Sequence, residues 1–523
     1  MRIFNLLKYS PKKDKQSFEI EPFSKDSSFF EIPDVSESYI KNKAVFEKIF
    51  RADKNTDIVI RDFKTAGNSN GFIVYIDGMV RSDAVNEYVL KPLFLTREKL
   101  NAERLKSTVQ INSVSVTHKF DDAVKAVLMG DTAVCIDGVN QFITCETKGF
   151  DRRSVGKPDN ENTVKGSKEA FSESIRTNTT LIRKIVKNPG LVSEFMQLGN
   201  ITGNYCAVMY IDGLANPSLV NCVKKRLKSI KSDYIAGSGM VEQFIEDGPF
   251  RILPGILSTE RPDTAALHIC QGRVAVVVDG TPFVLIMPVT ASQFIKSAED
   301  SSLRWQYATV LRAIRFVSVL IAMLLPGIYI AIVNYHRGMI PTDLLIAIAK
   351  SQENVPFPAV FEILLLEGAF ELIREAGVRV PGAVGNTIGI VGGLILGQSA
   401  VTAGIVSPVV IIIIAFTVIS NFAIPDYSFS FGIRILRIGF ILLASALGFA
   451  GIALGALGVG VISTQSSFGI GMLSPVAPKG RGKANVLYNP PVWKKEKRPE
   501  DLKPADIYNQ PEISRGWRED DEN

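Results

Sequence analysis

Two short stretches of this chain hold the residues that could do chemistry. In the first, PFPAVFEILLLEGAFELIREAGVRVPG, Glu362, Glu367, Glu371 and Glu375 stand among apolar residues with Arg374 and Arg379 beside them. Glu367, Glu371 and Glu375 recur every four positions, so a helix carries them as one acidic stripe. Carboxylates in such a setting have two uses. They pair with nearby arginines on an amphipathic interfacial or re-entrant helix, or they form a vestibule for cations if copies assemble with the stripe inward. The second stretch, Pro381 to Pro408, has no charged residue and is long enough to cross a hydrocarbon core of about 30 Å. Its Gly385, Gly389, Gly393 and Gly397 fall four apart, a small-residue face that lets another helix approach closely. Asn386, Gln398, Ser399 and Thr402 are polar groups that must pair or line water. Together these residues mark either a tightly packed bundle helix or the lining of a pore.

Other chemistries have little support. There is no phosphate loop and no G-x-S-x-G nucleophile turn. The three histidines (His118, His268, His336) are far apart, which argues against a metal site. The five cysteines are odd in number and lack CxxC spacing, so reduced thiols are expected. No cofactor, no metal and no enzymatic activity are expected. A net charge of +6 without aromatic-interleaved basic patches gives no case for nucleic acid.

The elements that must position these stretches fall into regimes. Residues 1–54 read as a flexible lead ending in a helix, SESYIKNKAVFEKIF, with Ser36 or Ser38 as its cap. An internal repeat follows. FIVYIDGMV, TAVCIDGVNQFIT, CAVMYIDGLA and VAVVVDGTPFVLI each end an apolar β-branched run in Asp-Gly, at Asp77, Asp137, Asp212 and Asp279. Asp-Gly between apolar runs predicts hairpin turns, so these carboxylates read as turn residues. The first and third copies are 135 residues apart and the second and fourth 142. Two related α+β subdomains are therefore expected, over 55–150 and 195–300, with helical inserts at 83–128 and 216–248. Residues 151–194 read as a linker and a helix.

Residues 301–463 read as an all-α polytopic membrane domain, and 464–523 as a polar, basic tail, disordered or bound at the interface. Spans are expected near 316–335, 383–406, 408–424 and 438–461, with Pro326-Gly327 kinking the first. Arg304, Arg312 and Arg315 before the first span, and the basic tail, place both ends in the cytoplasm. That requires the acidic helix not to cross, and leaves Arg434 and Arg437 awkwardly outside. If the acidic helix crosses, there are five spans. No export signal precedes the N-terminal region.

PFPAVFEILLLEGAFELIREAGVRVPGAVGNTIGIVGGLILGQSAVTAGIVSP, the joint SLRWQYATVLRAIRFVSVLIAMLLPGIYIAI and EDGPFRILPGILSTERPDTAALHICQGRVAVVVDGTPFVLIMP resemble the A-subunit family of GerA-type spore germinant receptors. The resemblance spans about residues 55–475 and extends to the SpoVAF-type sporulation membrane protein of the same superfamily. It implies a multi-pass protein of the spore inner membrane that works with a transporter-like B subunit and a lipoprotein C subunit. It also implies an oligomer that conducts cations when nutrient triggers germination.

Overall fold

The repeat is a duplicated sheet. In the computed structural model, residue 20 and residues 33–98, 100–149, 156–248, 250–379, 393, 397–474 and 487–510 are described. Strands β1 (Ile58–Lys64), β2 (Asn70–Ile76), β3 (Val114–Thr117), β4 (Thr132–Ile136) and β5 (Phe142–Cys145) pair antiparallel in the order β1-β2-β4-β5-β3. Strands β6 (Leu191–Leu198), β7 (Asn204–Ile211), β8 (Leu257–Thr259), β9 (Val274–Val278) and β10 (Val284–Met287) repeat it as β6-β7-β9-β10-β8. Gly78, Gly138, Gly213 and Gly280 have φ of 86°, 81°, 82° and 81°, a region glycine enters without steric cost. Asp137-Gly138 and Asp279-Gly280 close the hairpins β4–β5 and β9–β10. Asp77-Gly78 and Asp212-Gly213 instead turn the chain out of β2 and β7 into helices. Their sheet partners β4 and β9 arrive only after the insert, which also supplies an edge strand, β3 or β8.

The duplication begins earlier than the Asp-Gly motifs. Helix α1 (Tyr39–Ile49) follows Ser36-Glu37-Ser38, and its counterpart α5 (Ile175–Ile185) follows Ser172-Glu173-Ser174. Asn42 Nδ2 donates to Ser36 O at 2.6 Å, and Asn178 Nδ2 to Ser172 O at 2.6 Å. Asp137 accepts from Tyr39 N at 3.3 Å and Asp279 from Ile175 N at 2.9 Å, so two of the four turn carboxylates also satisfy free amides at helix starts. Each subdomain thus takes its first helix from residues that read as lead or linker.

Helices cover both faces of each sheet. Between β2 and β4 lie α2 (Lys91–Leu95), α3 (Ala102–Thr108) and α4 (Phe120–Leu128); between β7 and β9 lie α6 (Pro217–Lys228), α7 (Ser238–Ile245) and α8 (Pro262–Cys270). One core of subdomain 1 joins α1 and α4 to Phe72, Val74 and Cys135, and the other joins α2 and α3 to Ile73, Val134 and Ile143. This is the period-2 alternation of buried strands with both faces covered. The five cysteines are free, and burial pushes the Cys135, Cys145 and Cys206 thiols up to about 12. Polar contacts lock the subdomains together. Arg183 on α5 reaches Asp57 with Nε at 2.6 Å and Nη2 at 2.7 Å, both side chains 2% exposed.

After α9 (Ala291–Ile295) the chain enters the apolar helices α10 (Trp305–Tyr335), α11 (Thr342–Gln352), α12 (Ala359–Arg379), α13 (Pro408–Phe422), α14 (Tyr427–Leu447) and α15 (Phe449–Ser463). Helix α10 runs unbroken through Pro326. Two of the helices, α10 and α14, are long and apolar enough to cross a membrane among the described residues. They lie parallel. Val319 and Ala322 share a core with Phe429, Ile433 and Leu436; a Cβ on Gly327 would sit 3.3 Å from Phe440 O; Tyr335 Oη donates to Ser445 O at 2.7 Å. The stretch 431–463, read as one span, is two helices. At Gly448 (φ 61°) the chain reverses, and α15 folds back on α14. Gly451 and Gly455 make this possible, since a Cβ at either would lie 2.0 Å from Leu443 O or 2.6 Å from the Phe440 ring.

That shared core also contains Ala265, Ile269, Ala275, Ile286 and Phe294 of subdomain 2. The Phe294 and Phe429 rings stack at 5.3 Å. The α+β region therefore sits directly on the starting ends of α10 and α14. Part of the tail is ordered there too. Arg498 Nε donates to Cys270 O at 3.1 Å, Asn216 Nδ2 to Lys503 O at 3.2 Å, and Leu502 is buried. Arg498 thus finds a backbone carbonyl on subdomain 2, and the described tail and the N-terminal region occupy the same end of the bundle.

Candidate functional site

The acidic helix packs one face into the bundle, through Ala359, Ile363 and Leu366, with three of its four glutamates held by other elements or by Arg374. Glu367 Oε2 meets Arg437 Nη2 at 2.7 Å, with the side chains 7% and 2% exposed. One helical turn on, Glu371 receives Arg434 Nη1 at 3.0 and 2.9 Å and Arg374 Nη2 at 3.1 Å. As the α12 numbers rise, the α14 numbers fall, so the two helices are antiparallel. Glutamates four apart face arginines three apart because both spacings return to one helix face. Glu362, 1% exposed, takes the backbone amide of Ser407 at 2.7 Å. Ser407 caps α13, whose amides carry partial positive charge at that end. Glu375 is different: among the described residues it pairs only with Arg379 at 2.7 Å, the side chains 60% and 77% exposed.

This ladder neutralises the acidic stripe charge by charge, while leaving hydrogen-bonding capacity open. Glu362 Oε1, Glu367 Oε1, Arg434 Nε and Nη2, and Arg437 Nε and Nη1 are buried without a partner among the described residues. Unmet groups of this kind hold water or a passing polar species, because leaving them dry costs about 1–3 kcal/mol each. Arg434 and Arg437 were legible only as positive charges at a span's start. Their i,i+3 spacing against the glutamates' i,i+4 spacing was the signal for a paired face.

The glycine-rich stretch is described in part. Gly385, Asn386 and Gly389 lie outside the described residues. Residues 397–402 are helical, and Gln398, Ser399 and Thr402 are exposed on the bundle surface, where Thr402 Oγ1 donates to Gln398 O at 2.9 Å. A Cβ on Gly393 or Gly397 would meet nothing within 4 Å. Gln398, Ser399 and Thr402 do not join the ladder. Among the described residues no group of histidine, cysteine, aspartate and glutamate could hold a metal ion.

A profile of the Bacillus/Clostridium GerA spore germination proteins matches residues 44–501. The chain is 38% identical to spore germination protein KA of Bacillus subtilis over 484 residues, 91% of this chain and 89% of that one. It is 39% identical to spore germination protein B1 of the same organism, over 84% of this chain and 92% of the relative. Spore germination protein GerLA of Bacillus cereus is 37% identical, over 81% and 87%. The crystal structure of the N-terminal domain of the A subunit of the Bacillus megaterium germinant receptor GerK3 is 34% identical, covers 49% of this chain and 97% of its own, and gives a TM-score of 0.39. With an α+β region of two antiparallel sheets followed by apolar helices, and a match along most of its length, the chain belongs to the GerA family of spore germination proteins.

Proposed function

We propose that the chain is the A subunit of a nutrient receptor in the spore inner membrane, that it acts with a transporter-like B subunit and a lipoprotein C subunit, and that copies of it assemble into a gated cation channel. The observation that carries the reading is the bundle's division of labour. One polar ladder is buried between α12 and α14, while among the described residues nothing lies within 4 Å of a Cβ placed on Gly393 or Gly397. A face of small residues without an internal partner suits packing against another copy. The ladder offers water-compatible polar groups at membrane depth.

Topology supports the same reading. Helices α10 and α14 leave the soluble domain, and α12, α13 and α15 return toward it. With the Pro381–Pro408 stretch as a sixth pass, both the N-terminal region and the tail stay cytoplasmic even though the acidic helix crosses. Arg434 and Arg437 then lie within the membrane as counter-ions, on the half of α14 nearer the cytoplasmic domain.

The test is ion flux. Full-length chain would be reconstituted in liposomes, alone and with its B and C partners, and monovalent cation efflux followed with and without nutrient mixtures. Efflux that needs both nutrient and partners, and changes on Gln398→Lys, supports a gated pore. Efflux without nutrient dependence favours an accessory channel of the SpoVAF type. Absence of flux from intact complexes refutes the channel.

A further inference from the structure

A second polar cluster lies outside the bundle, where subdomain 2, the base of α10 and the tail meet. Arg273, just before β9, is 2% exposed, and its Nε and Nη1 have no partner among the described residues. Its Nη2 and Lys296 Nζ converge on Gln293 Oε1, at 3.1 and 3.3 Å, once that amide is oriented to accept from both. His268 on α8 is 5% exposed and its Nδ1 is likewise unpartnered. Lys495, from the tail, lies close enough to act on Lys296.

Charge here does not balance. Asp300 is consumed by Arg312 Nη2 at 3.1 Å and Arg315 Nη1 at 2.7 Å. Asp501 acts on Arg273 only from a distance. Among the described residues, Arg273, Lys296 and Lys495 have no carboxylate at ion-pair distance. Burial, with Arg312, Arg273 and Lys495 nearby, pushes Lys296 down to about 7. Burial likewise lowers Arg273 to about 10. Sequestered cations without a counter-ion are costly, and one anion that collects several charge-assisted hydrogen bonds relieves them together.

We infer that this seam is a binding site for a phosphate-type oxyanion, held by Arg273, Lys296 and Lys495 with His268 as a neutral donor. Donors from α8, the start of β9, the end of α9 and the tail suit a tetrahedral group with several acceptor oxygens better than a single-point anion. Two sources carry that group, free phosphate and a phospholipid headgroup. The second has a neighbouring opening, although none of the four donors lines it. A cleft of about 380 Å³ walled by Asp300, Arg304, Trp305, Gln306 and Trp493 opens at the first turn of α10, where aromatic residues mark a membrane interface.

The experiment uses the full-length chain in phosphate-free detergent and in phospholipid nanodiscs. Inorganic phosphate is titrated against chloride at matched ionic strength while the apparent Tm is followed, and native mass spectrometry reads retained phospholipid. For a free oxyanion, near-saturating phosphate raises the Tm by roughly 5 °C, and Lys296→Met and Arg273→Gln abolish the rise. For a headgroup, phospholipid stays on the wild-type chain and is lost from both variants. Lys296→Met removes a charge and little volume, so it keeps the experiment decisive if Arg273→Gln fails to fold. No phosphate response and no retained lipid, or responses unchanged in Lys296→Met, overturn the assignment.

Discussion

Replacing Arg437 by methionine should destabilise the bundle far more than replacing any exposed arginine of the same helices. The Arg437–Glu367 pair is buried, and Glu367 Oε1 already lacks a partner. Removing the guanidinium strands a carboxylate among apolar side chains, a loss of about 3–5 kcal/mol. At roughly 2–4 °C per kcal/mol for a unit of this size, the apparent Tm should fall by about 6–20 °C. Arg379→Met is the control. Its pair with Glu375 has the same 2.7 Å distance but lies in the open, so its loss should cost below about 1 kcal/mol. The double change Glu367→Leu with Arg437→Met removes both charges and should recover most of the loss, since an apolar replacement of a buried pair is often neutral. The measurement is unfolding of full-length protein in one detergent, followed by intrinsic fluorescence. Equal effects of Arg437→Met and Arg379→Met would refute the reasoning, as would a double variant no more stable than Arg437→Met.

The helical hairpin gives a steric prediction. Gly451→Ala drives a Cβ to 2.0 Å from Leu443 O and should prevent α15 from closing on α14, whereas Gly458→Ala meets nothing within 4 Å and should stay within about 0.5 kcal/mol of wild type in the same unfolding assay. Arg183→Met strands Asp57 at the subdomain joint and should cost about 3–5 kcal/mol, read as a separate, earlier calorimetric transition for subdomain 1; a single unshifted transition would count against that joint. In phosphate-free buffer Lys296 should impose a pH dependence. Its ordinary value is 10.5 and its folded value about 7, so protonation favours the unfolded chain across that interval. Stability should rise as pH goes from about 7 toward 10.5 and flatten below 7. Arg273, Arg312 and Lys495 oppose its charge and Asp300 favours it. Lys296→Met should lose this component, and parallel wild-type and variant Tm–pH curves would contradict it.

Sequence alone revealed the duplication, because Asp-Gly at positive φ leaves a fixed signature at strand ends. It did not separate the two kinds of corner, since a turn into a hairpin and a turn into a helix make the same demand on glycine. The SES–Asn bracket before α1 and α5 went unread because serine and asparagine occur at many helix starts. The acidic stripe was visible as a stripe, but its counter-ions lie more than sixty residues away on α14, and local periodicity does not report on a partner that distant. The break at Gly448 was hidden for a related reason. A glycine inside an apolar run full of glycines looks like a packing residue, and only the approach of Gly451 to Leu443 reveals the reversal. Arg312 and Arg315 read as orientation markers, but they also neutralise Asp300.

The two sheets have one strand order, but their surroundings differ. In subdomain 2, the face covered by α5 and α8 shares its apolar core with α10 and α14. The matching core of subdomain 1 contains, among the described residues, none from the bundle. One copy of the duplicated unit has become the footing of the membrane helices, and the other hangs from it by polar clasps such as Arg183–Asp57. A force that tilts subdomain 1 strains hydrogen bonds that can break and re-form. A force on subdomain 2 moves α10 and α14 with it, as a lever moves its shaft.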